Sequence, residues 1–97
     1  MNVHWTQTAQ SHLLAIYEYI AQDSPFYATR MVDRLTSRTL QIGTYPLAGR
    51  SVPEFERDDI REVIEGRYRL IYRIKPSQVD ILAVIHGARL LPDLEDF

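Results

Sequence analysis

The 97-residue sequence contains no cysteine, so it can form neither a disulfide framework nor a thiolate metal site. It also lacks any apolar run near the roughly 20 residues that cross a bilayer. Its first residues show no basic region followed by an apolar one, so they do not predict a secretion signal. These absences predict a cytoplasmic protein that neither spans a membrane nor is exported. At this length we expect one domain covering residues 1–97.

A surplus of positive charge is also missing. Lysine and arginine number 11 against 13 acidic residues, which gives a formal net charge of −2. Proteins that bind nucleic acid usually carry more basic than acidic residues, because contacts with the phosphates supply most of their affinity. The basic residues are nevertheless skewed, since all except Lys75 are arginines. Arginine favours bidentate, partly desolvated ion pairs, so the skew indicates either an acidic partner or simply arginine-rich codon usage.

The sequence has little of what cofactor and catalytic motifs require. Its four glycines are scattered rather than grouped before a helix, which argues against a phosphate-cradling loop. Its three histidines are far apart and have no i, i+4 partner, so we expect no metal site. The serines lie in cap, turn or helix contexts without a nucleophile signature. We therefore expect no cofactor.

What the sequence does contain is a concentration of β-prone residues between Ile60 and Arg89. A Gly-Arg pair and a Lys-Pro-Ser turn divide this stretch into three runs, which predict three consecutive antiparallel strands. In the middle run, the alternation of side chains predicts one apolar face and one face with a row of arginines. That row comprises Arg67, Arg69 and Arg73. The third run is apolar on both faces, so it should be the most buried strand.

Residues 2–5 suit a short edge strand, and two amphipathic helices follow. Thr6 is the expected N-cap of the first helix, and Ser24-Pro25 supplies the cap and first position of the second. The second helix should run over residues 25–44, with Gly43 placed to end it. Almost nothing joins the helices, so they should form an antiparallel hairpin. The predicted fold is α+β: an N-terminal edge strand, an antiparallel helical hairpin, then a three-stranded antiparallel sheet.

Residues 45–59 show no periodicity and contain two prolines, one glycine and a block of acids, which predicts a long loop. We expect Leu47, Val52 and Phe55 to pin this loop onto the body of the domain. Apolar residues also continue beyond the third strand, from Leu90 to Phe97. Such a tail either packs against the domain or meets a partner.

On the second helix, Arg30, Arg34 and Arg38 recur every fourth residue on the predicted outer face. This spacing is typical of a solvated face. The sharper hypothesis is a docking face for an acidic partner. We expect that partner to contribute an amphipathic helix whose acidic residues meet these arginines or the arginine row.

At the end of the third strand, His86 and Arg89 join the arginines of the sheet. Together they have the residue types needed for general acid–base cleavage of RNA, in which arginine stabilises a phosphorane and histidine moves a proton. The alternative is that His86 merely ends a strand and that the arginines pair with Glu62 and Glu65 across the sheet.

Several motifs, in this order, resemble the RelE/ParE superfamily of type II toxin-antitoxin toxins over nearly the whole chain. After the helical hairpin come Gly49-Arg50, the YRLIYRI run at Tyr68–Ile74 and the VIHGAR run at Val84–Arg89. The resemblance implies a small sheet carrying the hairpin, neutralised by a cognate, ParD-like antitoxin whose C-terminal segment wraps it. RelE-type members cleave mRNA on the ribosome, whereas ParE-type members are not nucleases and poison DNA gyrase.

The resemblance favours the ParE-type branch. The arginine that RelE-like nucleases place shortly before Tyr-Arg-Leu falls at Ile64, and their C-terminal catalytic tyrosine would lie near Glu95, although their second arginine matches Arg89. We therefore expect a non-catalytic, gyrase-binding toxin. Its expected partner-binding residues are Arg30, Arg34, Arg38, Arg67, Arg69, Arg73 and Arg89. The alternatives are a ribosome-dependent mRNA interferase using His86, Arg89 and Arg67, and a non-toxic family member that acts as an interaction module.

Overall fold

The computed structural model describes residues 1–87, in which five strands form one sheet and two helices cover one of its faces. The elements in chain order are β1 (Asn2–Trp5), α1 (Gln7–Ala21), α2 (Pro25–Thr44), a 3-10 helix (Pro46–Ala48), β2 (Arg50–Ser51), β3 (Ile60–Glu65), β4 (Tyr68–Ile74) and β5 (Gln78–His86). The strand order is β1-β5-β4-β3-β2, with β1 parallel to β5 and the other pairs antiparallel. The predicted α+β fold is confirmed.

Both helices begin at the predicted caps. The Thr6 hydroxyl accepts a hydrogen bond from the Ala9 N–H at 3.2 Å and donates one to the Ile81 carbonyl at 2.7 Å. The residue that caps α1 therefore also hydrogen-bonds to β5. At the start of α2, the Ser24 hydroxyl accepts from the Tyr27 N–H at 3.2 Å. No helix within residues 1–87 is long and apolar enough to span a membrane.

α2 spans Pro25–Thr44, which confirms the predicted range, and Gly43 lies inside its last turn rather than at its end. The glycine is required for packing instead. A Cβ at this position would lie 2.8 Å from both the Met1 carbonyl oxygen and a Val3 methyl group. The absence of a side chain thus lets the last turn of α2 approach β1 closely, a reason that the sequence pattern does not reveal.

The sheet buries apolar side chains on both faces. The helical hairpin covers the first core, formed by Ala9, Ile16, Leu35, Ile42, Leu70, Tyr72, Val79, Ile81 and Val84. The second core comprises Val52, Ile60, Ile71, Leu82, Ala83 and Ile85. β5 is buried at every position from Val79 to Ile85, which confirms that it is the most buried strand.

The segment before β3 is more regular than the predicted loop, because it contains the 3-10 helix and the short strand β2, which adds a fifth strand. Val52 is fully buried and Phe55 packs on the second core, as predicted. Leu47 is exposed, so the prediction that it pins the loop is wrong. The Arg61 guanidinium holds this part of the loop instead, donating to the carbonyls of Leu47 at 3.3 Å and Gly49 at 3.0 Å.

Candidate functional site

The central arginine of β4 is neutralised by carboxylates. Arg69 is 7% exposed, its Nε donates to Glu62 Oε1 at 2.7 Å, and its terminal nitrogens bind the Glu54 carboxylate at 2.8 and 2.9 Å. Glu62 is itself buried and also accepts from Arg50 Nε at 2.7 Å. Hydrogen bonds to Glu54 and Glu62 raise the pKa of Arg69. Arg69 therefore pairs with Glu62 across the sheet, as the alternative to a catalytic role expected, and the segment before β3 adds Glu54 as a second carboxylate.

The other two arginines assigned to the row differ from each other. Arg73 Nε lies 3.3 Å from Asp59 Oδ2. Arg57 binds the same carboxylate, and its hydrogen bond is the main cause of the lowered pKa of Asp59. Arg67 lies in the turn before β4 rather than on the strand, and it is exposed. Within residues 1–87 its guanidinium forms no ion pair.

His86 is the last residue of β5 and pairs with Tyr68 of β4, with the two ring centroids 5.9 Å apart at 80°. The Gly87 N–H donates to the Arg67 carbonyl at 2.7 Å. His86 and Arg67 therefore lie at the same end of the sheet. Arg89, the third catalytic candidate, lies outside the described residues, as does the apolar tail that follows it.

The three arginines of α2 lie along one flank of the helix but differ in their contacts. Arg34 and Arg38 reach the sheet, where Arg34 Nη2 and Arg38 Nε lie 2.6 and 3.5 Å from the Glu65 carboxylate of β3. The Arg30 guanidinium instead lies 5.7 Å from the centre of the Phe26 ring. The Arg34 and Arg38 side chains stay 51% and 34% exposed while they pair with Glu65, so the predicted outer face carries two guanidinium groups that already have an ionic partner. Its role as a docking face for an acidic partner stays a prediction.

A groove that the sequence reasoning missed runs between α1 and α2. It has a volume of about 500 Å³ and is lined by Trp5, Gln10, Leu13, Leu14, Tyr17, Val32 and Thr36. Leu14 is 58% exposed although it is apolar. Its mainly apolar lining makes the groove a candidate docking surface. In the sequence, Leu14 is the residue that could have indicated this groove, because it is an apolar residue on the exposed side of the amphipathic helix α1.

The groove and the helical arginines are separate surfaces. α1 contains one acidic residue, Glu18, and neither lysine nor arginine, while Asp33 follows Val32 on α2. Helical spacing places Arg34 and Arg38 on the opposite flank of α2 from the groove, where they bind Glu65. The groove is therefore flanked by acidic rather than basic residues.

His12 connects α1 to the sheet. Its Nδ1 accepts a hydrogen bond from the Val84 N–H at 3.2 Å, and burial lowers its pKa, which favours the neutral imidazole that this bond needs. Within residues 1–87 no three histidine or carboxylate side chains cluster in a way that could hold a metal ion.

Comparison with known proteins agrees with the geometry. The family described as the ParE toxin of the type II toxin-antitoxin system parDE matches residues 3–91. Toxin RelE2 of Caulobacter vibrioides is 35% identical over 88 residues, which cover 91% of this chain and 97% of that protein. A solved chromosomal ParDE TA system from P. aeruginosa has the same fold, with a TM-score of 0.73 at 22% identity, covering 89% of this chain and 95% of that one. The resemblance noted in the sequence is confirmed, and the chain belongs to the ParE toxin family of type II toxin-antitoxin systems.

Proposed function

We propose that this toxin inhibits growth by binding a protein target in the cytoplasm, DNA gyrase, without breaking a bond itself, and that a cognate ParD-like antitoxin neutralises it. The pairing of Arg69 is the observation that supports this most. Cleavage of RNA needs guanidinium groups that are free to stabilise the charge developing on a phosphate. Here Glu54 and Glu62 take up the charge of Arg69, and Ile64 stands where the nuclease resemblance places an arginine.

Ribosome-dependent cleavage of mRNA is the second candidate. Two observations favour it: Arg67 and His86 lie at the same end of the sheet, and one relative carries the name Toxin RelE2. An exposed arginine and a histidine at the same end of the sheet are two of the residue types that acid–base cleavage of RNA requires.

Induction of the toxin without its antitoxin separates the two candidates. Gyrase binding predicts growth arrest with DNA-damage signalling and loss of supercoiling by purified gyrase when the toxin is added. Cleavage predicts translation arrest and primer-extension stops within translated mRNA. The variant His86→Gln should still lower supercoiling under the first mechanism and should stop cutting under the second. Cut mRNA with normal supercoiling would overturn the proposal, and normal growth would favour the non-toxic interaction module.

We further propose that the groove between α1 and α2 receives an amphipathic helix of the antitoxin. The part of α1 that lines the groove, Gln10 to Tyr17, covers two turns or about 10 Å, the span of one i, i+4, i+7 face of a partner helix. The apolar lining supplies the burial that drives such docking. Because Glu18 and Asp33 lie near the groove, basic or neutral residues should flank the apolar face of the antitoxin helix.

Leu14→Glu tests this docking. The substitution places a charge on the apolar lining, so we expect antitoxin affinity to fall at least about tenfold, or about 1.4 kcal/mol, measured by calorimetry. Folding stability should change by less than about 0.5 kcal/mol because the side chain is already exposed. Tyr19→Glu is the matched control, since Tyr19 is 71% exposed on the same helix but does not line the groove. Equal losses in both variants, or full affinity in Leu14→Glu, would contradict the assignment.

A further inference from the structure

Within residues 1–87, the second half of β5 has no neighbouring strand on its β1 side. β1 ends at Trp5, opposite Ile81, so from Leu82 to His86 the sheet continues only towards β4. An N–H on this open side needs an acceptor outside the sheet, because buried backbone groups are nearly always paired.

A β-bulge sets which amide faces the open side. Tyr72 of β4 pairs with Ile81 of β5. The preceding residue, Ile71, pairs with Ala83, which leaves Leu82 as an extra residue in β5. Leu82 and Ala83 consequently both pack in the second core, although adjacent residues of a strand normally face opposite sides. The bulge thus shifts the alternation of β5 by one residue.

The shift directs the Val84 N–H to the open side. The Ile81 carbonyl faces β1, since it accepts from the Thr6 N–H at 3.1 Å. Alternation alone would turn Ala83 to the same side, but the extra residue turns Val84 there instead. The acceptor that meets this N–H is His12 Nδ1 of α1, at 3.2 Å. One side chain of α1 therefore takes the place of a neighbouring strand.

This contact requires a neutral ring at His12. A backbone N–H can only donate, so Nδ1 must be unprotonated, and an imidazolium has no nitrogen that can accept. Val84 is buried, so protonation of the ring would leave its N–H without an acceptor, at a cost in stability. His12 is therefore a position at which pH acts on the fold.

Burial, rather than a charged neighbour, lowers the pKa of His12. The groups that are charged or titrate in acid on the elements packed against it are Glu18 of α1, Asp33 and the three arginines of α2, and Asp80 and His86 of β5. Arg34 and Arg38 bind Glu65, and Asp80 binds Lys75 at 2.6 Å. The neutral state of the ring therefore depends on the burial that the packing of α1 provides.

We propose that the hydrogen bond between His12 and Val84 is a pH-dependent contact that holds α1 on β5. Acidification protonates the imidazole, removes the acceptor of the Val84 N–H and loosens the middle of α1. The start of the helix stays in place, because Thr6 donates to the Ile81 carbonyl through a hydroxyl that does not titrate. The opening is therefore local rather than a loss of the whole hairpin.

The contact also bears on the groove between α1 and α2. Leu13 and Leu14 directly follow His12 and line that groove. Movement of this turn displaces both side chains, so acidification should weaken binding of the antitoxin helix. This consequence rests on the proposed function, which assigns the groove to the antitoxin.

Folding stability should depend on pH in one window. The unfolded chain has the ordinary histidine pKa of 6.5, and His12 in the fold has a lower pKa. Above pH 6.5 both states are neutral and the contact contributes fully. Below it the unfolded chain binds a proton first, so stability falls until the pH has passed the folded pKa. The unfolding equilibrium constant should rise by at most about tenfold for each pH unit in this window.

His12→Asn tests this dependence by urea denaturation at a series of pH values. The amide oxygen of asparagine can accept the Val84 N–H much as Nδ1 does, but it does not titrate. The rise below pH 6.5 should therefore be smaller in His12→Asn than in the unaltered toxin. His4→Asn, which removes an exposed histidine from β1, should keep the full rise. An equal rise in His12→Asn and the unaltered toxin would overturn the proposal.

Hydrogen exchange tests the contact in the unaltered toxin, so it does not depend on a variant that folds. NMR titration of the imidazole gives the folded pKa of His12. From about one pH unit above this value to about one below it, the protection factor of the Val84 amide should fall at least about fivefold more than those of amides paired between β3 and β4. An equal fall throughout the sheet would contradict the proposal.

Antitoxin binding separates this inference from the proposed function. Across the same titration, affinity for the antitoxin from the toxin's own operon should fall at least about threefold more in the unaltered toxin than in His12→Asn. Loss of Val84 protection with equal affinity changes in the two proteins would refute the assignment of the groove and leave the pH-dependent contact in place. The two failures are therefore distinguishable.

Discussion

Replacing Glu62 with alanine is expected to lower the free energy of unfolding by about 3 to 5 kcal/mol, as when one partner of a buried ion pair is removed. The Glu62 side chain has no exposed surface and accepts from Arg50 Nε and Arg69 Nε, each at 2.7 Å. Its removal leaves Arg69 buried with Glu54 as its remaining carboxylate. Domains of this size are stable by about 5 to 15 kcal/mol, so urea denaturation should show the loss clearly.

Glu65→Ala is the matched control for this experiment. It removes the same chemical group from the same strand, but its arginine partners have side chains that are 51% and 34% exposed. Solvent screens such pairs, so the expected loss is at most about 1 kcal/mol. Losses of equal size in the two variants would show that the burial of Glu62 does not determine its contribution.

Gly49→Ala is expected to destabilise the fold by about 3 kcal/mol. A Cβ at Gly49 would collide with the Tyr72 hydroxyl and lie 2.9 Å from the Glu62 carbonyl oxygen. That hydroxyl accepts from the Gly49 N–H at 3.1 Å and donates to the Pro46 carbonyl at 2.6 Å. The collision therefore also breaks the hydrogen bonds that hold the 3-10 helix against β4. Thermal and urea unfolding of the variant measure the effect.

Tyr72→Phe identifies the cause of that loss. The phenylalanine variant should itself lose about 1 to 2 kcal/mol, since it leaves the Gly49 N–H and the Pro46 carbonyl without the hydroxyl. In its background the added Gly49→Ala should cost less, because the nearest colliding atom is absent and only the ring Cζ and the Glu62 carbonyl oxygen, each at 2.9 Å, still crowd the Cβ. We expect a coupling of at least about 1 kcal/mol in the double-mutant cycle. Additive losses would mean that the hydroxyl is not the obstacle.

Most of the fold could be predicted because its signals are local. Thr6 and Ser24 cap helices through side chains three residues from the N–H groups they bind, and the alternation within β4 and β5 follows from the period of a strand. β2 could not be predicted, since two residues are too few to show a period. The role of Gly43 was also hidden, because it depends on how β1 is placed against α2.

The candidate site was harder to predict because its contacts are distant in sequence. The alternation of β4 assigned Arg69 to a face, but the carboxylate that neutralises it belongs to Glu54, 15 positions earlier in an aperiodic segment. The spacing of Arg34 and Arg38 in the sequence predicts a solvated helix face. Their contact with Glu65 arises because α2 lies close to β3, which the sequence does not show. The family could be identified without these contacts, because its motifs are contiguous.

The parallel pairing of β1 with β5 has a consequence for how the toxin is made. Asn2 is aligned with Gln78, and Trp5 with Ile81, so the first strand finds its neighbour only after most of the chain has been synthesised. Contacts this far apart in sequence form slowly and cannot be completed while the later strand is still inside the ribosome. The nascent toxin therefore cannot complete its sheet until Gln78–Ile81 have left the ribosome, and an antitoxin already present in the cell can meet the incomplete chain before then.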